Sequence, residues 1–551
     1  MYLAQYSKKT SNGELPNLVF VIIEGFGQKL TGIDSATVSF TPFLDSLANN
    51  GLYWKNCLST AERTFGALPA IFASAPHGEG GFASKWHPIP DHNSLLNDLV
   101  QNGYTTSFFY GGSASFDGQD AFLIRNGINY ILDAQPDTND IAQTTKLKNN
   151  HRWGLDDSQM IDLAIAHKQT ESTIPFADIY LTLTTHEPFE FPGIDQYIQK
   201  IAHWDENATD IERQNIDGNL NIFATFNYAD DCIRKLFEYY KSRPDYQNTI
   251  FIIVGDHRMC PLLAPNNPLM KYHIPLILYS PLLVTNKSMN SVVSHLDITP
   301  TINAYLSKNY HYTTSPQCHW LGTTLDTSNT FLCKKDLAFM LNNRDVIDFL
   351  SDTMMISGNR LFHVNSDLSV IPTENNAVLD SLTTLLNSYQ TISKYVIKND
   401  YLKKNIEGAK ESLVNLNLDF DHNVPSEFKK QLYNKNGNMC MLIDSTIEYG
   451  TLCSKIDLQK KCKKIKVVIM FDFQSSDTSK KLPKIVIEAG NYYLASPIDS
   501  ALNTGLSEKY QLTTTIDIED KDNATMKIYL WNPNHSRMTY DNLMIKIDIL
   551  N

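Results

Sequence analysis

The chain has 551 residues, of which 42% are hydrophobic, and this length is enough for a large catalytic domain and a smaller second domain. Its 47 Lys and Arg residues and 60 Asp and Glu residues give a formal net charge of −13, which argues against a nucleic-acid partner because phosphate backbones are bound by cations. The sequence has no apolar stretch of the roughly 18 residues that cross a bilayer, and no signal-peptide core. We therefore expect a soluble chain without a targeting signal, which could be the soluble part of a membrane-anchored protein.

Short apolar runs alternate with helical patterns between Asn17 and about Leu306. The runs NLVFVII, TTSFFY, FADIYLTL, NTIFIIV and IPLILYS are rich in Val, Ile and aromatic residues, which is typical of buried strands. TPFLDSLANN and NSLLNDLVQN are each followed by glycine, which indicates helices that stop there. This alternation predicts an α/β fold, in which a mostly parallel sheet lies between two layers of helices.

The pattern changes after the α/β region. Leu382, Leu385, Leu386 and Tyr389 are spaced by three or four residues, which indicates a helix. Farther on, runs such as KVVIMFDF, KIVIEAG and MKIYLWNP are separated by turn-rich segments and predict a smaller antiparallel β-sandwich. We therefore divide the chain into an N-terminal tail (1–16), a catalytic domain (17–375), a helical connecting segment (376–433) and a C-terminal β-sandwich domain (434–551).

Metal-capable side chains follow two of the predicted strands. Glu24 comes directly after LVFVII, and Asp256 and His257 follow FIIVG. The carboxyl ends of parallel strands meet at one edge of a sheet, where ligands bind in open α/β folds. Taken alone, Glu24 is more simply interpreted as a polar loop residue, and so is the pair Asp256 and His257. Their shared position at two strand ends predicts that they converge on one metal ion.

Thr64 precedes a run of small residues, ALPAIFAS, that indicates a helix. A hydroxyl group at a helix N-terminus lies where backbone N–H groups attract anions, and beside a metal ion it is a plausible nucleophile. The alternative is that Thr64 simply caps the helix, as Ser and Thr commonly do. The presence of the predicted metal ligands favours the interpretation of Thr64 as a nucleophile; they are Glu24, Asp256 and His257.

Several segments together resemble a known family. VFVIIEGFG, TPFLDSLANNGLYWKNCLSTAERTFGALPAIFAS, TLTTHEPF and FIIVGDH occur in this order. They resemble the alkaline phosphatase superfamily, and within it the lipoteichoic acid synthase-like branch of phosphoglycerol transferases. The resemblance implies a sulfatase-like α/β/α sandwich. Sulfatases of this superfamily carry Cys or Ser followed by x-Pro-x-Arg, whereas Thr64 is followed by Phe-Gly-Ala, so we do not expect sulfatase activity.

The resemblance also implies roles for individual residues. Glu24, Asp256 and His257 match the metal ligands, and Thr64 matches the nucleophile that also contacts the metal. His186, in TTHEPF, matches a histidine placed over the substrate phosphate. His273, in KYHIP, matches a further histidine at the phosphate or at a second metal. The alternative for both histidines is a hydrogen-bonded surface or core residue. Apart from the resemblance, Arg63, Asp117 and Arg125 could hold the polar end of the substrate, although surface roles are the simpler alternative. The family implies one divalent ion, manganese first and magnesium or zinc in relatives, with a second ion conceivable at His186 and His273.

The implied function is transfer of a phosphoglycerol or phosphoethanolamine group through a phosphothreonine intermediate. The donor would be a phospholipid and the acceptor a glycan or lipid, at the extracytoplasmic face of a bacterial membrane or in the periplasm, with contact to the membrane surface through the substrate. Two alternatives stay open at this point. One is a phosphodiesterase of the same fold that releases the group to water, and the other is an inactive relative that binds glycans.

The predicted β-sandwich contains aromatic residues that could stack on sugar rings. They are Tyr492, Tyr493, Trp531 and Tyr540. Aromatic side chains more often serve a core, so the alternative is an accessory domain that does not bind glycan.

Overall fold

The structure is a computed structural model, and it describes residues 5–10, 13–33, 39–83, 89–134, 151–168, 174–204, 214, 216–259, 267–315, 318–402, 412–418, 432–435, 438–444, 446–457, 464–475, 482–489, 492–498, 508–517 and 525–550. The chain divides into two compact units, Met1–Lys404 and Asn405–Asn551. None of the helices in the described ranges combines the length and the apolar character needed to cross a membrane.

A nine-stranded sheet forms the centre of the first unit. Its strands are β1 (Asn17–Ile23), β2 (Leu52–Leu58), β3 (Thr105–Tyr110), β4 (Tyr130–Leu132), β5 (Phe176–Leu181), β6 (Thr249–Gly255), β7 (His273–Tyr279), β8 (Lys287–Met289) and β9 (Val293–Ser294). They are ordered β4-β3-β5-β1-β6-β7-β2-β8, and β9 pairs with β2. Only β7 runs antiparallel to its neighbours among these strands, which confirms the predicted mostly parallel sheet.

Helices cover both faces of this sheet. They are α1 (Pro42–Asn49), α2 (Ala67–Ala73), α3 (Leu95–Gln101), α4 (Gln119–Arg125), α5 (Asp157–His167), α6 (Ile194–Trp204), α7 (Leu220–Lys241) and α8 (Ile298–Asn309). Successive β1 side chains alternate between two cores, because side chains of a strand point to opposite faces. Leu18, Phe20 and Ile22 pack in the core that contains α2, α3, α4 and α8. Val19, Val21 and Ile23 pack in the core that contains α1, α5, α6 and α7.

A second, five-stranded sheet follows in the same unit. Its strands are β10 (Asp336–Met340), β11 (Val346–Ser351), β12 (Met354–Ser357), β13 (Arg360–Val364) and β14 (Val370–Pro372), and the next helix is α9 (Asn376–Lys398). Each strand pairs antiparallel with the next one along the chain. Leu382 and Leu386 of α9 pack in one core with side chains of this sheet and with Phe65. This accessory sheet therefore reaches the segment that carries Thr64.

The structure divides the predicted connecting segment 376–433 between the two units. Helix α9 belongs to the first unit, whereas β15 (Ser412–Leu418) pairs with β24 (Met538–Leu550) in the second. Part of the predicted N-terminal tail also joins the first unit. Lys8 N donates to Leu282 O at 2.8 Å, and Val284 N donates to Tyr6 O at 2.9 Å.

The second unit contains two antiparallel sheets over one core, as predicted for the β-sandwich. Its other strands are β16 (Leu432–Lys435), β17 (Asn438–Ile443), β18 (Tyr449–Asp457), β19 (Lys464–Ser475), β20 (Lys484–Ala489), β21 (Tyr492–Pro497), β22 (Glu508–Asp517) and β23 (Thr525–Trp531). One sheet has the order β16-β17-β24-β19-β22, with β15 also paired to β24, and the other has the order β18-β23-β20-β21. Tyr540 is only 1% exposed and lies in the shared core, so the expectation that it stacks on a sugar is wrong.

Candidate active site

Glu24 and Asp256 leave the sheet side by side. Strands β1 and β6 are parallel, and their last paired residues are Ile23 and Gly255. The next residue on each strand therefore emerges at the same edge, which places the two carboxylates next to each other. Glu24, Asp256 and His257 are 3%, 1% and 7% exposed, so the group is buried among protein atoms.

The three side chains point toward one another. His257 Nε2 lies 3.1 Å from Glu24 Oε1 and 3.6 Å from Asp256 Oδ2. One ligand atom from each residue lies within 4.8 Å of the others. Within the described ranges, no other group of three or more His, Cys, Asp or Glu side chains is this compact. The structure thus brings together the three metal-capable residues named from the sequence.

The hydrogen bonds around this group leave one oxygen of Asp256 without a partner.

Asp256 Oδ1 accepts hydrogen bonds from Gly25 N at 2.8 Å and from His257 N at 2.6 Å, whereas its Oδ2 is buried and accepts none. His257 Nδ1 lies 2.9 Å from Arg258 O, and because a carbonyl oxygen only accepts, Nδ1 carries the proton. Without a cation Nε2 carries a proton toward the Glu24 carboxylate, whereas in the neutral form of this tautomer Nε2 has a lone pair, as in metal-bound histidines. These donor atoms fit a divalent cation.

Without a cation, protons compensate the two buried carboxylates. Burial and the Glu24 carboxylate raise the pKa of Asp256 to about 8. Burial opposes charge on His257, but the Asp256 and Glu24 carboxylates outweigh it and raise the pKa of the imidazole to about 10. Burial likewise opposes charge on Glu24, but the His257 imidazolium lowers the pKa of this carboxyl to about 2. The group therefore attracts positive charge strongly, which is the electrostatic requirement of a metal centre.

Thr64 donates its hydroxyl hydrogen to this group. Thr64 Oγ1 lies 2.8 Å from Glu24 Oε2. Thr64 begins a 3₁₀ turn, Thr64–Gly66, that leads directly into α2, and neither the turn nor α2 has a side-chain cap. The Thr64 hydroxyl group thus bonds to the Glu24 carboxylate and does not cap the helix. The alternative that Thr64 is only a helix cap is therefore wrong.

Two threonines that the sequence analysis did not single out hold the backbone of Glu24. Glu24 N donates to Thr182 Oγ1 at 3.0 Å, and Thr185 Oγ1 donates to Glu24 O at 2.6 Å. Both threonines are at most 1% exposed. They belong to the segment TLTTHEPF after β5, and the run of threonines at a strand end was the available signal.

His186 follows this threonine segment and is half-buried. Its ring meets the Trp153 ring edge-on, with centroids 6.1 Å apart, and its carbonyl oxygen lies 3.4 Å from His151 Nε2. Trp153 Nε1 also donates to Glu187 O at 2.7 Å. Burial raises the pKa of Glu24, and His186 is close enough to this carboxyl to add to the lowering of its pKa by His257. His186 thus lies on the same side of the sheet edge as the metal-capable group.

His273 begins β7 and pairs with Leu58. Because β7 is antiparallel, its first residue lies at the edge where the parallel strands end. The side chain is 8% exposed, and Nε2 donates to Lys55 O at 2.6 Å. Burial lowers the pKa of this imidazole to about 4, so it is neutral. Within the described part of the chain, neither His186 nor His273 belongs to a group of three or more metal-capable side chains, and a second ion there stays a prediction.

The other predicted substrate residues differ in their surroundings. Arg63 is exposed beside Thr64. Asp117 Oδ1 accepts a hydrogen bond of 2.7 Å from Arg344, which lies in the turn between β10 and β11. Arg125 pairs with Asp91 at 3.2 Å, which supports the surface role. Substrate binding by Arg63 and Asp117 stays a prediction.

His295 supports the second strand end. No role was assigned to it from the sequence, but it is fully buried, and its Nε2 donates to Gly255 O at 2.8 Å. Burial lowers the pKa of His295 to about 4, so the ring is neutral. This bond fixes the residue directly before Asp256. The partners are 40 positions apart, and no local pattern of the sequence marks such a contact.

Known proteins match the same region of the chain. The Sulfatase family model matches residues 16–307. The chain is 27% identical over 257 residues to lipoteichoic acid synthase 1 of Bacillus subtilis, covering 44% of this chain and 36% of that protein. It is 24% identical over 258 residues to phosphoglycerol transferase I of Xanthomonas campestris pv. campestris, covering 44% of this chain and 34% of that protein. The chain thus spans about a third of the length of these relatives.

Solved structures share the fold. The lipoteichoic acid synthase LtaP from Listeria monocytogenes superimposes with a TM-score of 0.54 and 20% identity, covering 72% of this chain and 97% of that chain. A protein of the alkaline phosphatase superfamily from Vibrio parahaemolyticus gives a TM-score of 0.54 and 18% identity, covering 73% of this chain and 91% of that chain. These similarities confirm the fold expected from the sequence.

Proposed function

Because the chain belongs to the sulfatase family, within the lipoteichoic acid synthase-like branch of the alkaline phosphatase superfamily, we propose that it is a metal-dependent phosphotransferase. It moves a phosphoglycerol or phosphoethanolamine group from a phospholipid donor to a glycan or lipid acceptor. The observation that carries this proposal is the hydrogen bond of 2.8 Å from Thr64 Oγ1 to Glu24 Oε2, beside the buried side chains of Asp256 and His257.

Glu24, Asp256 and His257 would hold one divalent cation, with the Thr64 hydroxyl group beside it. Manganese, magnesium and zinc are all compatible with ligands that combine carboxylate oxygens and an imidazole nitrogen. When bound, such an ion favours the deprotonated hydroxyl group and neutralises charge on a phosphoryl oxygen. The support for this assignment is the unpartnered Asp256 Oδ2 atom and the contact of His257 Nδ1 with Arg258 O, which leaves Nε2 directed at Glu24 and Asp256.

Thr64 is the nucleophile of the first step. Its Oγ1 forms a bond to phosphorus, and the bond from phosphorus to the diacylglycerol oxygen breaks. The proton lost by Thr64 is transferred to the departing oxygen, so diacylglycerol leaves as the alcohol. Glu24 Oε2 orients the hydroxyl group through the bond that it already accepts. The product is a phosphodiester of Thr64 that carries the head group.

The second step reverses the first with a different alcohol. The acceptor oxygen attacks phosphorus, the bond to Thr64 Oγ1 breaks, and Thr64 regains a proton. His186 is suited to hold or move that proton, because it is half-buried beside the site and its Nδ1 lies 3.0 Å from Glu187 O, which leaves Nε2 for the substrate. If water attacks instead, the same residues perform hydrolysis.

The substrate class comes from the relatives, whose names are lipoteichoic acid synthase and phosphoglycerol transferase. A phospholipid donor implies work at a membrane surface, at the extracytoplasmic face of a bacterial membrane or in the periplasm. Thr64 followed by Phe-Gly-Ala favours phosphoryl transfer over sulfate ester cleavage.

The test is cleavage of a chromogenic phosphodiester and of fluorescent phosphatidylglycerol, with manganese, magnesium or zinc added to metal-free protein. We expect metal-dependent cleavage by the parent and by Thr64→Ser, and loss of cleavage in Thr64→Ala. With acceptor present, a labelled acceptor product supports transfer, whereas free glycerol phosphate alone identifies a hydrolase. A folded parent that cleaves neither substrate with any of these ions contradicts the proposal.

A further inference from the structure

The outer face of the four-stranded sheet in the second unit carries a band of aromatic side chains. We call this group the aromatic band, and it consists of Tyr449, Tyr493, Tyr529 and Trp531. Residues directly opposite each other on paired strands share a face. Tyr449 pairs with Trp531, Val486 pairs with both Tyr529 and Ala495, and Glu488 pairs with both Lys527 and Tyr493. All four aromatic residues therefore lie on one face and on three different strands.

The opposite face of this sheet is the core side. The intervening residues Ile485, Ile487, Ile528 and Leu530 are all in the core of the second unit and fully buried. Because side chains alternate along a strand, the aromatic band points away from that core. The aromatic residues of the band are thus not needed to form the core.

Two members of the band are largely exposed, and the half-buried Tyr529 contacts both Tyr449 and Glu488. Tyr449 is 58% exposed and Tyr493 is 59% exposed. The rings of Tyr449 and Tyr529 lie 5.8 Å apart at 64°, and Tyr529 donates its hydroxyl hydrogen to Glu488 Oε1 at 2.6 Å. Val486, on the same face, is fully buried. This part of the face is therefore shielded from water.

The charges on this face indicate which kind of ligand it can bind. Glu488 supplies one carboxylate, and Lys484 and Lys527 supply two ammonium groups, of which Lys484 Nζ lies 5.4 Å from the centroid of the Trp531 ring. The fixed charge of the face is therefore nearly balanced. An anionic membrane or a polyanionic polymer would gain little attraction here, and the chain as a whole carries a net charge of −13. An uncharged ligand complements this face better.

We propose that the aromatic band binds an uncharged glycan chain. Sugar rings present apolar C–H faces that stack on aromatic rings, and their edges carry hydroxyl groups that bond to carboxylates and ammonium groups. Tyr493 lies two strands from Tyr529 and is offset from it by two residues along the strands, so spacings of about 4.8 Å across and 3.4 Å along the strands separate the two backbone positions by about 12 Å. That separation allows two different rings of one extended glycan chain to stack on Tyr493 and Tyr529. The site is independent of the chemistry proposed for Thr64.

The structure revises which aromatic residues belong to such a site. Tyr493 and Trp531 remain, Tyr540 is in the core, and Tyr449 and Tyr529 are added. Tyr492 points to the other face, where its hydroxyl group lies 3.0 Å from Thr514 Oγ1.

The test is affinity electrophoresis of the full chain through gels that contain a soluble β-glucan, a mannan, a galactan or poly(glycerol phosphate). We expect retardation by at least one of the three neutral polysaccharides. Tyr449→Ala and Tyr493→Ala should each weaken that retardation at least fivefold, and Tyr529→Phe, which keeps the ring but loses the bond to Glu488, should weaken it less. Tyr401→Ala is the matched control, because Tyr401 is 60% exposed in the first unit, and it should be retarded like the parent.

Three results overturn the proposal. They are the absence of retardation in all three neutral gels, equal retardation of the parent and both alanine variants, and retardation in the poly(glycerol phosphate) gel alone. Circular dichroism of each variant checks that the second unit is folded. Because these measurements need no catalytic activity, their outcome is separate from that of the phosphodiester assays.

Discussion

Thr185 donates a hydrogen bond of 2.6 Å from its hydroxyl group to the main-chain carbonyl oxygen of Glu24. The two residues are 161 positions apart, on segments that follow neighbouring parallel strands. Since Thr182 accepts the Glu24 N–H group at 3.0 Å, both main-chain polar groups of Glu24 are held by threonine side chains. The main chain of Glu24, whose carboxylate accepts the Thr64 hydrogen bond, is therefore held in place by these two threonines.

Replacing Thr185 by valine should weaken metal binding. Valine keeps the shape but leaves the Glu24 carbonyl oxygen unpaired in a buried site, which costs about 1–3 kcal/mol. We expect manganese affinity, measured by calorimetric titration, to fall about 10-fold, since outer hydrogen bonds orient metal ligands. Thr391→Val is the control, because Thr391 makes the same kind of bond, at 2.8 Å to Asn387 O, on the exposed face of α9. Equal affinity of parent and Thr185→Val would show that these bonds do not position Glu24.

Arg344 connects the accessory sheet to Phe65, which follows Thr64, and to the loops that contain Gly80 and Asp117. Its guanidinium lies 4.4 Å from the centroid of the Phe65 ring and 2.7 Å from Asp117 Oδ1, and it also donates to Gly80 O. Both Arg344 and Asp117 have positive φ angles, of 71° and 56°, which are uncommon for residues other than glycine. Surrounding contacts must hold both residues in these conformations.

Arg344→Met should lower kcat about tenfold on the chromogenic diester with little change in metal affinity, because the loop that carries Thr64 loses its support. Asp117→Asn should lower kcat less, and the double variant should be no worse than Arg344→Met, since the two residues act as a pair. Arg360→Met is the control, because Arg360 lies 5.2 Å from the Phe362 ring on the same accessory sheet. Hydrogen exchange of the loop around Thr64 should rise in Arg344→Met only, and unchanged exchange there contradicts the positioning role.

The sequence was sufficient to predict which metal-capable side chains meet at the sheet edge, but not which contacts support them. Glu24 and Asp256 were recognisable because each directly follows an uninterrupted apolar strand, and parallel pairing then places them together. The contacts of Thr185, His295 and Arg344 join segments that are distant along the chain, and they depend on register and turn geometry. Tyr540 shows why exposure could not be predicted either. Neighbouring residues of a strand face opposite sides of the sheet, and an aromatic residue is compatible with both the core side and the exposed side.

Buried histidines should make stability depend on pH. His92 is 4% exposed, its ring stacks on Phe122 with centroids 5.7 Å apart, and burial lowers its pKa to about 3. The unfolded chain, with an ordinary histidine pKa near 6.5, binds a proton that the folded chain does not, so the contribution of His92 is fully present above about pH 6.5 and is lost as the pH falls toward 3. His92→Phe should make the free energy of unfolding fall less steeply, by about 1.4 kcal/mol per pH unit between pH 4 and 6.

Urea titrations of the full chain at several pH values, in which unfolding of the first unit is followed, measure how the free energy of unfolding depends on pH. His363→Phe provides the control, because His363 is exposed on β13, and it should keep the slope of the parent. Parallel curves for the parent and His92→Phe would mean that His92 accepts a proton in the folded state.

Asp256→Asn should separate metal binding from folding. Asparagine retains an oxygen for the N–H groups of Gly25 and His257, but it removes one of two adjacent buried carboxylates. Metal-free Asp256→Asn should therefore melt at or above the temperature of the parent. Manganese at about 100 times its dissociation constant stabilises the parent by about 2.7 kcal/mol, and this gain should vanish in the variant.

Asp348→Asn is the matched control for this experiment. Asp348 is also buried, accepts a hydrogen bond of 2.8 Å from the Tyr272 hydroxyl group, and has a second oxygen without a partner. It lies in the accessory sheet, so its replacement should leave the manganese response unchanged. If manganese stabilised Asp256→Asn as much as the parent, the ion would bind elsewhere.

The most direct test of the central claim is to trap the covalent intermediate. Metal-loaded protein is mixed with phosphatidylglycerol, quenched in acid after a fraction of one turnover, digested and analysed by mass spectrometry. The account predicts that the peptide containing Thr64 gains the mass of one phosphoglycerol group in the parent, and that Thr64→Ala shows neither adduct nor turnover. Turnover that continues in Thr64→Ala, or an adduct on another residue, would contradict it.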